Sequence, residues 1–249
     1  MGKVIAVSNH KGGVGKTTTV VNLGASLSRL GKKILLVDLD PQANLSLHLG
    51  ISSEDNNIYT ALRGDTKLEP IKVLKDFYLI PSDIDLTASE LELSNQKDNK
   101  HILKAILEPF KAKFDYIIID TPPNLGLLTI NALCSSEEVL IPLQPHILAL
   151  KGLARINSVI EQIQLNLNKN LARAGIVITQ YDSRKVIHRD IVETIEKNSQ
   201  GYVFKTKIRE NVALIEATGM EVDIHRYQPK SYGSEDYNNL AIELLERGV

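Results

Sequence analysis

"NHKGGVGKTTTV", residues 9–20, follows the apolar run "KVIAVS" (3–8) and leads into Val20, Leu23, Leu27 and Leu30, spaced by three and four residues. The run before it reads as a buried parallel strand. The spacing after it marks one face of a helix, with Gly31 placed to stop it. Backbone N–H groups of Gly12, Gly13, Val14 and Gly15 can wrap an anion where side chains leave room, and the following helix adds the positive end of its dipole. A loop of the form G-x-x-x-x-G-K-[ST] would carry glycine at position 10, where this chain has His10. It also holds two lysines, Lys11 and Lys16, instead of one. Lys16, followed by Thr17 and Thr18, is set to reach phosphate oxygens, with the Thr17 hydroxyl as a Mg²⁺ ligand. The bland readings are a glycine-rich turn with an incidental lysine, and a solvated Lys11.

Outward from this loop the pattern repeats. "ILLVDLD" (34–40), "FYLIPS" (77–82), "YIIID" (116–120), "EVLIPLQ" (138–144), "AGIVITQ" (174–180) and "YVFKTKI" (202–208) are further strand candidates. "HILKAIL", "LGLLTINALC", "GLARINSVIEQIQ" and "RDIVETIEK" are helix candidates between them. Strands alternating with helices predict an α/β fold: a mostly parallel sheet covered by helices on both faces, of the P-loop NTPase type. The polar stretch "SNQKDNK" (94–100) reads as a surface loop, and residues 1–249 as a single domain.

Ligands of open α/β sheets bind outside the carboxyl ends of the strands. The glycine loop, Asp38 and Asp40, Asp120, and "QYD" after "IVIT" all fall at that edge. Asp120 closes an apolar strand, where its carboxylate can hold Mg²⁺ through a water or cap the turn "DTPPN". Asp38 and Asp40 beside an anion-binding loop are electrostatically costly without a metal or a task. Either could instead cap the "PQANLSL" turn.

Bulk composition narrows the rest. With 43 % hydrophobic and 24 % charged residues the chain is of ordinary globular type. No apolar run approaches the roughly 18–20 residues that span a bilayer. "MGKVIAVSN" lacks the layout of a signal peptide, and Ala6 weakens Gly2 as a myristoylation site. A single cysteine, Cys134, excludes an internal disulfide and a cluster held by several cysteines of one chain. A cytoplasmic protein is expected. The formal net charge of −1 leaves nucleic-acid or membrane attraction to local patches. One such patch lies within residues 182–209: seven basic side chains, among them Arg184, Lys185, Arg189, Lys205 and Lys207, against four acidic ones. Its alternative is a mixed-charge solvated surface.

"KGGVGKTT" resembles the deviant Walker A motif of the ParA/MinD group of P-loop ATPases. "LLVDLDPQANLS", "YIIIDTPPNLGLLTINAL" and "YQPKSYGSEDYNNLA" are similar to segments of its ParA/Soj branch, the short chromosomal type. The resemblance implies ATP and Mg²⁺ as cofactors and slow, partner-stimulated hydrolysis. It implies an ATP-dependent homodimer in which Lys11 reaches the partner subunit's nucleotide while Lys16 serves its own. It implies Asp40 in orienting the attacking water, Asp38 near the metal, and Arg209 and Asn211 bordering the adenine. It also implies sequence-independent duplex DNA binding, a ParB-like centromere-binding activator and nucleoid association without stable membrane attachment. Two departures stand out: "QPHILALKG" replaces an acidic-aromatic sequence, and "IRENVAL" lacks a second arginine that some relatives carry at a DNA contact.

A membrane-cycling ATPase of the MinD type shares the loop but relies on a basic amphipathic tail. Here Leu240, Leu244 and Leu245 form a stripe among mostly acidic charges, which predicts packing on the body. A metabolic ATP-dependent enzyme on the same fold is the different-class alternative.

Overall fold

The computed structural model describes residues 2–94, 96, 98–199 and 201–249, the Glu90 side chain excepted. Its strands are β1 (Lys3–Val7), β2 (Ile34–Asp38), β3 (Ile71–Leu74), β4 (Phe77–Ile80), β5 (Tyr116–Asp120), β6 (Glu138–Leu143), β7 (Ala172–Tyr181) and β8 (Val203–Arg209). They form one sheet in the order β3-β4-β2-β5-β1-β6-β7-β8. Only β3, paired antiparallel with β4, breaks the parallel arrangement.

The helices are α1 (Lys16–Arg29), α2 (Asn44–His48), α3 (Ile58–Arg63), α4 (Leu86–Ser94), α5 (Ile102–Leu107), α6 (Leu127–Ser135), α7 (Ala149–Asn166), α8 (Val186–Asn198), α9 (Val212–Gly219), α10 (Ile224–Tyr227) and α11 (Tyr232–Glu246). Side chains alternate across a strand, so the continuous apolar runs serve both faces. Val4 and Ala6 join one buried cluster with α3 to α8. Ile5 and Val7 join the other with α1, α2 and α9 to α11.

The seven expected strands are present, with ends shifted by up to two residues. β3 went unseen because its alternation, "IKVL", is only half buried and short. The α1 stripe ends one residue early. Val20, Leu23 and Leu27 are fully buried, whereas Leu30 is the exposed C-cap. Gly31 follows at φ +83°, a left-handed conformation that suits glycine. Of the expected 94–100 loop, residues 95 and 97 lie outside the described residues, while residues 98–100 form a turn. The tail packs as its stripe predicts. Leu240 and Leu244 are fully buried, α11 lies against α1 and β8, and Tyr116 donates its hydroxyl hydrogen to the Val249 carbonyl at 2.8 Å. No described helix is long and apolar enough to cross a membrane.

Register does the positioning. Asp38 stands opposite Asp120 in the β2–β5 pair, and Asp120 opposite Val7 in the β5–β1 pair. Two carboxylates and the start of the glycine loop therefore emerge side by side. α1 must lie close to the sheet to keep the loop there. Gly24 makes this approach: a Cβ added to it would come within 2.8 Å of Leu36 Cδ2 and 3.1 Å of Phe77 Cε2. Gly24→Ala is expected to destabilise the protein by about 1–3 kcal/mol despite the better helix propensity of alanine. Urea unfolding of the two proteins checks this.

Candidate functional site

Gly13 (φ +74°) and Gly15 (φ +84°) hold left-handed conformations that turn the backbone around an open space. A Cβ at Gly12 or Gly13 would meet nothing within 4 Å, so both face that space. Val14 points the other way and is buried. The loop is gripped on two sides. Thr179 donates to the Val14 carbonyl at 2.8 Å and the Gln180 side-chain amide to the Gly13 carbonyl at 2.7 Å. Opposite, the Asn9 side-chain amide donates to the Pro142 carbonyl at 2.7 Å, and Asn9 accepts from the Lys11 backbone N–H at 3.1 Å.

The two lysines part company. The Lys16 ammonium lies back over the loop, 3.4 Å from the Lys11 carbonyl. Burial lowers its pKa, against the pull of Asp120 and Asp40 in the other direction. Lys11 instead sends its ammonium to the Gln144 side-chain oxygen, 3.5 Å away.

Thr17 donates its hydroxyl hydrogen to Asp120 Oδ2 at 2.6 Å, while Asp120 Oδ1 is buried with no hydrogen-bond partner. Burial, then the neighbouring Asp38, raises the Asp120 pKa well above the carboxylate range, with Thr17 and Lys16 opposing. A lone acceptor beside a hydroxyl fits a hard cation such as Mg²⁺, which keeps several waters and takes few protein oxygens. Among the described residues no three His, Cys, Asp or Glu side chains converge as a metal cage.

Asp38, expected near the metal, is held by hydrogen bonds within its own chain. Its Oδ2 accepts from the Ser46 N–H at 2.9 Å and hydroxyl at 2.7 Å, and its Oδ1 from the Asp40 N–H at 3.2 Å. Burial nevertheless raises its pKa to about 6. Through these bonds Asp38 organises the chain that follows β2. Ser46, in "ANLSL", carries no sequence signal of this bond and was missed. Asp40 is nearly buried and accepts from the Gln42 N–H at 3.0 Å.

Beyond the loop lies a cavity of about 580 Å³ whose walls include Thr18, Thr179, Ile208, Arg209, Asn211 and Tyr237. Asn211 caps α9 by accepting from the Ala213 N–H at 2.9 Å. Arg209 is fixed to α11 through Asp236 and Glu235, and its guanidinium stacks on Tyr232 at 4.1 Å. Its charge is therefore withdrawn from the basic window. Other charges there are also paired: Arg184 with Asp182, Lys185 with Glu210, and Lys207 with Glu196. Arg184 still exposes 88 % of its side chain. Arg189 and Lys205 have no ion-pair partner among the described residues. Arg184, Lys185 and Arg189 lie at the start of α8, and Lys205 and Lys207 on edge strand β8.

A glycine loop between strand and helix, a lysine over it, and a hydroxyl–carboxylate pair beside it define a P-loop nucleoside triphosphatase. The family model described as an AAA domain matches residues 2–173. The chain is 42 % identical over 253 aligned residues to the sporulation initiation inhibitor protein Soj of Bacillus subtilis, covering 100 % of both. It is 41 % identical to the chromosome partitioning protein ParA of Myxococcus xanthus, covering 99 % of this chain and 89 % of that one. Among solved structures, a cobyrinic acid a,c-diamide synthase from Mycobacterium smegmatis with bound ADP and magnesium matches with a TM-score of 0.88 at 33 % identity. That match covers 100 % of this chain and 96 % of the other. The chain belongs to the ParA/Soj family of partition ATPases.

The raised carboxylates carry a linkage prediction. A buried acid whose folded pKa exceeds its unfolded value of 3.8 holds its proton longer in the folded state. Nucleotide-free stability should therefore fall as pH rises from about 4 through the folded pKa. Asp120→Asn removes part of this penalty and is expected to raise the nucleotide-free Tm at pH 7 by about 2–4 °C. It should also weaken Mg²⁺-dependent nucleotide binding. Thermal unfolding across pH, and titration of a fluorescent nucleotide with and without Mg²⁺, check both halves.

Proposed function

We propose that this protein is a single-domain, Mg²⁺-dependent ATPase switch that dimerises with ATP, binds duplex DNA as the dimer and acts in DNA segregation. The observation that carries this reading is the divergence of the two lysines. Lys16 lies over its own loop, whereas Lys11 lies 3.5 Å from Gln144, just past the end of β6. A cation leaving its own cradle is suited to a second subunit's phosphates, and links nucleotide state to assembly as an arginine supplied in trans does.

In this reading Gly12, Gly13, Val14 and Gly15 supply backbone N–H groups to the phosphates, and Lys16 neutralises them. The cavity behind Thr18 receives the nucleoside, with Arg209 and Asn211 at its border. Mg²⁺ would be held by the Thr17 hydroxyl and, through water, by Asp120, with Asp38 close by. When bound, it would neutralise charge on the phosphate oxygens. Asp38 fixes the turn carrying Asp40, and Asp40 orients the attacking water. Hydrolysis is slow until a ParB-like centromere-binding partner acts, and the ATP dimer resides on the cytoplasmic nucleoid. The printed name of one relative, chromosome partitioning protein ParA, supports the segregation role.

DNA contact is assigned to Arg184, Lys185, Arg189, Lys205 and Lys207. Contacts to phosphate carry no sequence information. With several of these charges already paired, one protomer should bind weakly, and two patches on one duplex gain through avidity.

Lys16→Gln is expected to abolish ATP binding. Lys11→Ala should bind ATP as a monomer and fail to dimerise; light scattering that still reports an ATP dimer would remove the trans role. Asp40→Ala should dimerise and persist unhydrolysed. For that trapped dimer, log DNA affinity should fall against log salt with a slope of about −0.9 per neutralised phosphate. Reversing charge at Arg184 and Lys185 together should flatten the slope with ATP affinity preserved. Salt-independent or absent DNA binding would argue against segregation. Brisk basal hydrolysis without DNA or partner would favour a metabolic enzyme.

A further inference from the structure

The phosphate loop departs from the ordinary pattern at position 10, and the histidine there has a definite seat. A Cβ added to Gly152, in the first turns of α7, would come within 2.6 Å of His10 Cε1 and 3.5 Å of its Nδ1. The ring therefore rests on the bare Cα of a glycine, where any other residue would displace it. Its Nδ1 is buried without a hydrogen-bond partner.

Three successive residues fasten the loop to one stretch of chain. Asn9 bonds the Pro142 carbonyl, His10 packs on Gly152, and Lys11 reaches Gln144. β6 ends at Leu143 and α7 begins at Ala149, so the connecting segment is tied to the loop on both sides. That segment includes Ile147, which is 73 % exposed. Burial first, then the cations of Arg155, Lys16 and Lys11, push the His10 pKa down. That favours the uncharged imidazole, and the contact with Gly152 is one of shape.

We propose that His10 is a positioning residue for Lys11: its ring, seated on Gly152, holds the entry of the phosphate loop against α7, so that Lys11 departs toward Gln144 and does not fold back beside Lys16. The proposal rests on the reading of Lys11 as the lysine that serves a second copy of the chain. A flat ring suits the task, because it has only two side-chain torsions to fix and packs against the glycine face. Filling the face with a methyl group or removing the ring would release Lys11 while leaving Lys16, Thr17 and the glycine backbone in place.

The test measures binding of a fluorescent ATP analogue, ATP-dependent sedimentation, and kcat and KM for hydrolysis. The proteins are the full chain and its variants His10→Ala, His10→Phe, Gly152→Ala, Lys11→Ala and His10→Ala/Lys11→Ala. His10→Ala and Gly152→Ala are expected to weaken ATP-dependent dimerisation by about tenfold or more and to lower kcat, with analogue affinity and KM changed by less than about threefold. His10→Phe, which restores a ring, should recover most of the loss. In residual kcat and analogue affinity, adding His10→Ala to Lys11→Ala should cost nothing further, because residues acting through one another are not additive. Unimpaired dimerisation of His10→Ala would overturn the proposal. So would analogue affinity falling as steeply as dimerisation, His10→Phe behaving like His10→Ala, or a further loss in the double variant. Failure of the trans-lysine reading is separate: there Lys11→Ala itself dimerises normally. Should Gly152→Ala not fold, the three His10 variants carry the test alone.

Discussion

Two carboxylates, Asp38 and Asp120, are fully buried at matching positions of neighbouring strands, and the surrounding architecture compensates for that placement. A buried anion is unfavourable unless hydrogen-bonded or neutralised. Asp38 has the first remedy, since Ser46 and the Asp40 N–H occupy its oxygens. Asp120 has only part of it: Thr17 donates to one oxygen and the other is left unpaired. The same sheet register thus yields one carboxylate that is internally satisfied and one that is incomplete. Incompleteness of this kind is what a metal- and phosphate-dependent site requires, because a satisfied group would gain nothing from its ligand.

The phosphate loop is held as a bridge between two arms of the sheet. β7 grips its middle through Thr179 and Gln180, and the end of β6 grips its entry through Asn9. Left-handed Gly13 and Gly15 supply the turn between these grips. A loop so fixed offers preorganised N–H groups, which avoids the ordering cost of binding. α11 extends the arrangement on the other side. Its Tyr237 walls the cavity and meets Thr19 at 3.3 Å, while its Asp236 and Glu235 immobilise Arg209. The C-terminal helix belongs to the phosphate-loop side of the molecule as much as to its core.

Charge in the basic window follows a similar economy. Residues 182–209 carry a basic excess, but Glu210, Glu235 and Asp236, all outside that window, pair with Lys185 and Arg209. Exposed ion pairs are weak and exchange readily. A polyanion can therefore compete for Arg184 or Lys185, whereas the Arg209–Asp236 pair, with one partner largely buried, stays with the fold.

The sequence by itself determined the strand–loop–helix unit, the mostly parallel sheet and the edge at which functional groups gather. Those signals are local: apolar runs, helical spacing and glycines that permit left-handed turns. It also marked Lys11, Lys16, Thr17, Asp38, Asp40 and Asp120, because residue type and position on a strand end suffice to nominate them. Tertiary structure decided what local pattern cannot carry. Only strand register placed Asp38 opposite Asp120, and only the folding of the turn after β2 brought Ser46, eight residues on, to Asp38 while Asp120 was left open. Arg209 was placed at the adenine border by resemblance alone; that α11, some 26 or 27 residues onward, would fold over it and pair with it is not visible locally. His10 read as a mismatch to a motif; its meaning depends on Gly152, which lies on a different element and shares no local pattern with it. Pairings between distant segments are fixed by packing and register, and neither is written in the spacing of residues along one segment.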